Sequence, residues 1–374
     1  MNRGFYLTLM MGPFNASPVP EPVIEALTEL QVSSTVGSQG GFQMKFTLGK
    51  NSPVQQMLQA GFFDPRQRVI IAVTVNGSTE VLMDGVVTKQ DVTPGIGAGK
   101  SLLTLTGLDL TALMDFLDLT GIPYPGLPDF VIVEAILAKY LVLGVVPLAL
   151  PAAIPVIQNP LQHFVKQKGT DYAFIQSLAA NGAVFYLDPG PRPGRSLAYF
   201  GPDLSKLIGG VQPALSIDFD ASTNIDSLNF SYDGTLSTQY LVTIIEPNTQ
   251  LPIPIPVPKL DILQAPLGAQ VPPVFKVRQL SPVANLDPVQ AALAGLGKLF
   301  EAPDAITGSG QLDVLRYGRV FKARQLAAVR GAGNRFDGKY YVKSVTHNIK
   351  RGEYKQSFTL ARGGVGSSVS TVSV

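Results

Sequence analysis

The first third of the sequence alternates apolar and polar residues, which is the pattern of β-strands with one buried face. Turn residues separate the runs, and Asn76-Gly77 between two apolar runs is the strongest short signal for a β-hairpin. Several short antiparallel strands in succession predict a barrel or a sandwich. The predicted strands cover residues 4–11, 42–48, 69–75, 81–87 and 102–106.

Two apolar stretches resemble targeting or membrane segments. Residues 4–11 lack a following small-residue cleavage site, so a strand is predicted rather than a signal peptide. Residues 130–150 include Glu134 and Lys139 and are broken by Pro147. A membrane span needs about 20 apolar residues. We therefore expect a helix that ends before Pro147, and no stable membrane insertion.

Between residues 109 and 187 the apolar residues follow helical spacing. Helices are predicted over residues 108–117, over 130–140 and around Phe174–Ala179. The third has Thr170 or Asp171 as its N-cap and Gly182 near its end, and a strand over 184–187 follows.

A second strand-rich region follows the helices. The Pro-rich residues 246–286 are predicted to form an extended loop or arm that crosses a surface, because alternate prolines do not fit a central strand. A ligand for SH3-type domains is the alternative. A helix is predicted over 287–300, with Pro288 in its first turn. The predicted strands cover residues 215–219, 225–232, 240–245, 314–321, 340–347 and 354–360.

Charged residues make up only 15% of the chain, whereas soluble domains average about 25%. Much of the surface is therefore expected to be uncharged or covered by partners. This favours a protein that works inside a larger assembly, although a soluble protein with large cores has the same composition.

No motif predicts a catalytic, cofactor or metal site. The chain has no cysteine, which excludes disulfides and thiolate chemistry. Residues 94–101 approach a phosphate-binding loop, but Pro94 stands where the first glycine belongs and a strand follows instead of a helix. Neither histidine, His163 or His347, has a histidine neighbour in sequence. The prediction is a non-enzymatic protein, although two distant acids could still converge on a cell-wall glycan.

A calcium loop is also nearly present. Asp218, Asp220, Ser222 and Asn224 have the spacing of its early ligands. Thr223 occupies the glycine position, and Asn229 stands where a bidentate glutamate is needed. Alternating polar residues on a half-exposed strand give the same pattern, and we expect no calcium.

The C-terminal region is basic. Between residues 311 and 362 there are twelve Lys or Arg and three Asp or Glu, a balance of 12 − 3 = +9. Such a patch could contact nucleic acid or an acidic protein surface, whereas a solvated strand face is the alternative. The candidate interface residues are Arg316, Arg319, Lys339 and Lys343.

Three segments of the sequence form a pattern that spans most of the chain. The first is a Gly-rich stretch followed by two strands, the second is a helix that runs into an aromatic strand, and the third lies at 84–87 and 105–110. The positions that define the first two are Gly338, Tyr340, Tyr341, Val342, Ser344, Val345, His347, Phe358, Leu360 and Arg362, and Asp171, Phe174 and Leu178. Together the three segments resemble the late-control D, or tail-hub, family of contractile phage tails and phage-like injection systems.

The resemblance implies a mainly β fold with an α+β middle part and two tube-like antiparallel β-barrels per chain. The expected domains are a first barrel (1–108), a helix-rich α+β domain (109–212), a second barrel (213–362) with the arm and helix inserted at 246–303, and a flexible tail (363–374). Three chains would form a ring, and the protein would have no cofactor.

The resemblance also implies a function and partners. The ring would adapt a hexameric inner tail tube to a trimeric spike carried on a separate chain, in a virion baseplate or in an injection particle assembled in the cytoplasm. Other expected partners are baseplate wedge or LysM-type proteins, with nucleic acid at most passing through the lumen. The alternatives are a β-rich glycan-binding or adhesin-like module and a cell-wall-degrading tail enzyme.

Overall fold

A computed structural model of the protein describes residues 4–95, 101–151, 165–180, 183–203, 210–218, 223–245, 252–256, 267–270, 273–279 and 304–367. Within these ranges the chain is built mainly from β-strands, as the alternating pattern predicted.

The first block (residues 4–109) contains all five strands predicted there. Asn76 and Gly77 form the tight turn of a hairpin, and both have positive φ, 49° and 81°, as a two-residue hairpin turn of this type requires. The elements are β1 (Phe5–Gly12), β2 (Ser17–Pro18), α1 (Glu21–Ala26), β3 (Leu27–Thr35), β4 (Gly41–Leu48), α2 (Pro53–Gln59), β5 (Arg68–Val75), β6 (Ser78–Thr93) and β7 (Ser101–Asp109).

The middle block (residues 110–203) is the α+β part. Its elements are α3 (Thr111–Met114), β8 (Pro123–Tyr124), α4 (Asp129–Leu137), a 3₁₀ turn (Ala138–Leu143), β9 (Val145–Ala149), β10 (Val165–Lys166), α5 (Asp171–Ala179), β11 (Val184–Pro189) and β12 (Ser196–Gly201).

Two of the three predicted helices are confirmed in this block. The helix predicted over 130–140 ends before Pro147, since Gly144 takes a left-handed conformation. Thr170, rather than Asp171, caps α5, because its hydroxyl accepts a hydrogen bond from the Ala173 amide at 3.2 Å. The helix predicted over 108–117 is wrong in extent, because β7 continues through Asp109 and leaves only α3. Gly182 lies outside the described residues.

The last block (residues 210–367) is again rich in strands. Its elements are β13 (Val211–Ser216), β14 (Ser227–Tyr232), a 3₁₀ turn (Gly234–Leu236), β15 (Thr238–Ile245), β16 (Pro252–Pro256), β17 (Gly268–Gln270), β18 (Lys276–Gln279), β19 (Ile306–Asp313), α6 (Val314–Tyr317), β20 (Leu326–Arg330), β21 (Gly338–Lys350), β22 (Glu353–Arg362) and β23 (Val365–Ser367).

The strand predicted over 314–321 is wrong: the segment begins with α6. The Asp313 carboxylate accepts hydrogen bonds from the Leu315 and Arg316 amides and so caps the helix, and Gly318 ends it at φ 85°. Val314, Tyr317 and Phe321 are buried, a spacing typical of a helical face.

The Pro-rich segment contains three strands, β16, β17 and β18, where only an extended loop or arm was predicted. In β16, residues 252, 254 and 256 are all prolines, and the strand pairs with β15 alone. Proline has no N–H to donate, so it is tolerated at a sheet edge. The described residues do not include the rest of the Pro-rich segment (246–251, 257–266, 271–272 and 280–286) or the helix predicted over 287–300. Within the predicted tail, β23 pairs with β17.

Thirteen strands form one mostly antiparallel sheet, here called the main sheet. Its order is β14-β19-β22-β21-β3-β4-β7-β6-β5-β1-β2, with β20 on β21 and β13 on β20. The first and last blocks join where β3 pairs with β21, with Gln31 opposite Asn348. The described strands do not close into a barrel.

Two hydrophobic cores fill the described part of the chain. The larger core is shared by the first and last blocks and includes Leu30 and Phe46 with Val345 and Phe358. The smaller core belongs to the middle block and packs against Val86 of β6. The middle block is therefore attached to the main sheet through apolar contact as well as through the chain.

Candidate interaction surface

The signature residues of the C-terminal strands are mostly buried and make structural contacts. Tyr341, Val342, Val345, Phe358 and Leu360 are at most 3% exposed. Their burial on β21 and β22 places them in the contact between strands and away from solvent. Ser344 is half-buried beside the register shift that follows Val342.

His347 belongs to a buried hydrogen-bonding group. Its Nδ1 lies 2.7 Å from the Tyr354 hydroxyl and 3.1 Å from Nε2 of Gln356. The Gln356 side chain in turn bonds both the N–H and the C=O of Phe321, at 2.9 and 2.8 Å. Burial lowers the pKa of His347 to about 3. The imidazole is therefore neutral and ties β21 and β22 to the loop after α6.

Arg362 is completely buried although its charge has no carboxylate partner among the described contacts. Its guanidinium donates to the Asp337 and Arg335 carbonyls at 2.9 and 3.0 Å and lies 4.3 Å from the centre of the Tyr340 ring. Gly338 has φ 121°, and a Cβ there would lie 3.0 Å from Nη1 of Arg362. The glycine signature thus makes room for the buried arginine.

Asp171 begins α5 and is 2% exposed. It accepts hydrogen bonds from Gln167 Nε2 at 2.8 Å and from the Tyr140 hydroxyl at 2.7 Å, and Lys139 Nζ lies 2.5 Å away. These contacts hold α5 to the 3₁₀ turn that follows α4. Phe174 and Leu178 lie in the core of the middle block, so this signature is structural as well.

Two ion pairs that join different parts of the structure were not predicted from the sequence: Arg68 with Asp84, and Arg324 with Asp188. Arg68 and Asp84 pair across the β5–β6 hairpin, and Arg68 Nη2 also donates to the Leu143 carbonyl at 2.7 Å, which ties the sheet to the middle block. The tight turn after Val75 fixes the hairpin register. The sequence signal that could have predicted this ion pair is the hairpin register, because it brings Arg68 of β5 close to Asp84 of β6.

Arg324 links all three blocks. Its guanidinium pairs with Asp188 of β11, lies 4.2 Å from the centre of the Tyr186 ring and donates to the Thr35 carbonyl at 3.2 Å. Arg324 itself has a positive φ of 62°. A non-glycine residue in that conformation is held by its surroundings, here by these contacts.

The four basic interface candidates occur as two pairs. Arg316 is 52% exposed and pairs with Asp226 at 3.0 Å. Arg319 is exposed and lines an open cleft of about 610 Å³ beside the β5–β6 hairpin, where Lys322 pairs with Glu80 at 2.7 Å. Lys339 is half-buried and Lys343 is exposed, and both lie on β21. No described contact joins the two pairs.

The two sequences that approach a phosphate-binding loop and a calcium loop form no binding site within the described residues. Ser101 begins β7, and residues 102–106 lie in that strand as predicted. The Asn224 side chain bonds the backbone of Ser216 and Ala214 at 2.8 Å. Residues 96–100, 219–222 and His163 lie outside the described residues. Among those described, no three His, Asp or Glu side chains are close enough to hold a metal ion.

None of the helices in the described ranges has the length and apolar character needed to cross a membrane.

The structure is similar to solved tail and secretion proteins. A 43 kDa tail protein of prophage MuSo2 from Shewanella oneidensis matches with a TM-score of 0.60 at 12% identity, over 96% of this chain and 98% of that one. An Escherichia coli component of the type VI secretion system, itself structurally similar to the T4 tail proteins gp27 and gp5, matches with a TM-score of 0.55 at 14% identity, over 90% and 73%.

The chain has the tail-protein fold. A chain of the half-lidded PdpA–VgrG complex of Francisella also matches this fold, with a TM-score of 0.63 at 11% identity over 96% of this chain and 58% of that one. No protein-family model matches the sequence, and no curated protein matches it by sequence.

Proposed function

We propose that this protein is a structural baseplate hub of a contractile tail or injection system. It adapts a hexameric inner tube to a trimeric spike carried on a separate chain. The observation that carries the proposal is the match to tail proteins over 96% of this chain and 98% of the prophage protein. The likeness includes all three blocks, so it concerns the whole architecture.

The strand arrangement supports the geometry of the proposal. One set of strands lies on each side of the β3–β21 pairing. We assign the two proposed barrels to residues 1–108 and 213–362, with the α+β domain at 109–212 between them. Three copies would present six strand-built surfaces, which suits a hexameric tube, while the threefold axis suits a trimeric spike.

A non-enzymatic role is part of the proposal. The described signature residues bury their polar groups against neighbouring strands and helices: Arg362 bonds backbone carbonyls, and His347 bonds Tyr354 and Gln356. Such contacts stabilise an assembly module. Baseplate wedge or LysM-type proteins would be further partners, in a virion baseplate or in a particle assembled in the cytoplasm.

The first experiment is the mass of the purified protein in solution, followed by electron microscopy of its complex with the tube protein of the same system. We expect a trimer, and a threefold ring with six similar surfaces facing the tube. A protein that stays monomeric at high concentration and does not bind the tube would contradict the proposal.

The basic residues are the proposed tube contacts. We expect Arg319→Glu together with Lys343→Glu to weaken tube binding, because both side chains are exposed and charge reversal across an interface is unfavourable. Arg192→Glu is the matched control, since Arg192 is an exposed arginine of the middle block, in the connection between β11 and β12. Equal binding by the two variants would remove these residues from the interface.

A further inference from the structure

Three strands of the last block form a small sheet that does not pack on either core. This sheet, here called the arm sheet, consists of β15, β16 and β18 in the order β16-β15-β18. None of its described side chains belongs to the two hydrophobic cores. All four residues of β18 are exposed, so neither face of that strand is covered.

Within the described residues, the arm sheet exposes large apolar side chains, and β18 pairs with β15 alone, which leaves its other edge open. Phe275 is 65% exposed and Val277 62%, and Ile253 and Val274 are also exposed. A small sheet gains stability by packing one face on another element, and exposed apolar patches with open strand edges mark interaction sites. The described structure thus presents the arm sheet as a surface that a partner would cover.

The charge of the arm sheet narrows the choice of partner. Its strands and the residues leading into β18, at 238–245, 252–256 and 273–279, contain Lys276 and Arg278 and no acid. Among the described residues, Asp233 is a neighbouring acid: hydrogen bonds from Thr235 lower its pKa, and the charge of Lys276 lowers it further. The partner surface should therefore be apolar and acidic.

The middle block of the same chain has a surface of that kind. Residues 115–127, here called the acidic loop, expose Phe116 by 64% and Leu117 by 58% beside the exposed Asp115 and Asp118. Between residues 102 and 138 the sequence has no Lys or Arg. Arg66 lies 4.5 Å from the centre of the Phe116 ring. The exposed Lys166 and Lys168 belong to the segment that pairs with residues 119–123, at the other end of the loop from Asp115 and Phe116.

We propose that the arm sheet of one copy of this chain docks on the acidic loop of the next copy. Two arm sheets facing each other would bring Lys276 and Arg278 of both copies together, which is unfavourable. Two different patches, one basic and one acidic, form a head-to-tail contact, and such contacts close into rings when the rotation allows. The proposal therefore rests on the trimeric ring proposed above and assigns one of its contacts.

The absence of cysteine from the chain makes this contact directly testable. The variant Phe275→Cys/Leu117→Cys is treated with a short bifunctional maleimide and separated under denaturing conditions. We expect dimer and trimer products from the double variant and none from either single variant. The matched control is Phe275→Cys/Val142→Cys, because Val142 is an 82% exposed apolar residue elsewhere on the middle block.

A charge-reversal series gives an independent reading. We expect Lys276→Glu/Arg278→Glu to raise the trimer dissociation constant roughly tenfold, equivalent to about 1.4 kcal/mol, and Asp115→Lys/Asp118→Lys to do the same. Combining the four changes should restore the trimer. Asp115 and Asp118 also accept hydrogen bonds from Thr170 and Thr120, so thermal unfolding of each variant establishes that it is folded.

The outcomes separate this contact from the proposed function. A trimer in which the Phe275/Leu117 variant cross-links no better than the Val142 control overturns the docking site and leaves the hub intact. Cross-linking by Phe275→Cys alone indicates a symmetric contact and also overturns it. A protein that is monomeric under all conditions contradicts the ring and the docking site together.

Discussion

Arg68 and Asp84 form a two-pronged ion pair beneath the junction of the main sheet and the middle block. Nε and Nη2 of the arginine lie 2.8 and 2.7 Å from the two carboxylate oxygens. The side chains are 8% and 1% exposed. The same arginine donates to the Leu143 carbonyl of the middle block, so one cation holds together two structural units.

We expect Arg68→Met to lower the free energy of unfolding by about 3–5 kcal/mol, because the Asp84 carboxylate would be left buried and unpaired. Urea denaturation measures the change. Lys89→Met is the control, since Lys89 pairs with Asp91 at an exposed position where the expected change is about 0–1 kcal/mol. Equal losses of unfolding free energy in the two variants would show that the buried ion pair stabilises the fold no more than an exposed pair does.

Gly338→Ala should destabilise the protein by about 1–3 kcal/mol, because an alanine there combines an unfavourable φ with crowding. The new Cβ would lie 3.0 Å from Arg362 Nη1 and 3.1 Å from the Ser367 backbone. Gly352→Ala is the matched control, since Gly352 also has positive φ but open space around it. Thermal unfolding of both variants isolates the crowding, and equal losses would contradict it.

His347 should make stability depend on pH. Its folded pKa of about 3 lies below the ordinary value of 6.5 because of burial, so the unfolded chain binds more protons between these pH values. The contribution of His347 to the free energy of unfolding is therefore fully present above pH 6.5. It is lost as the pH drops towards 3, by up to about 1.4 kcal/mol per pH unit. Unfolding curves between pH 5 and 7 measure the slope.

The dependence of the free energy of unfolding on pH should become weaker in His347→Gln. It should persist in His163→Gln, which changes the other histidine of the chain. A slope unchanged by His347→Gln would mean that another group is responsible. Because the substitution also alters the contact with Tyr354, the comparison uses the pH slope and not the absolute stability.

Asp313→Ala should cost about 1 kcal/mol, because the carboxylate accepts two amide hydrogen bonds at the start of α6. Asp313→Asn keeps a side-chain oxygen and should retain most of the stability. Denaturation midpoints of the two variants measure the cap. Losses of equal size would mean that the negative charge, rather than the hydrogen bonds, stabilises the turn.

Much of the local structure could be predicted from the sequence. The Asn76-Gly77 hairpin and the Thr170 cap of α5 depend on residues within a few positions of each other, and both are present. The segment after Asp313 was predicted wrongly because a short apolar run fits both strand and helix spacing. The cap at Asp313 and Gly318 decided between them.

The contacts that join the blocks could not be predicted in the same way. Arg324, Asp188 and Thr35 meet from distant parts of the chain, and nothing near them in sequence indicates the meeting. Buried charges are also missed because charged residues are usually exposed. In the arm sheet, β15 was predicted over residues 240–245, whereas β16 was missed, because alternate prolines argue against a central strand but permit an edge strand.

The β3–β21 pairing has a consequence for the timing of folding. Gln31 and Asn348 are bonded across 317 positions of the chain. At synthesis rates of roughly 5–20 residues per second, about 15–60 s pass between the emergence of the two strands. During that interval the edge of β3 has no partner from β21. A nascent chain therefore carries an open strand edge on the ribosome, and slow, late completion of the sheet is the step at which premature association between copies would begin.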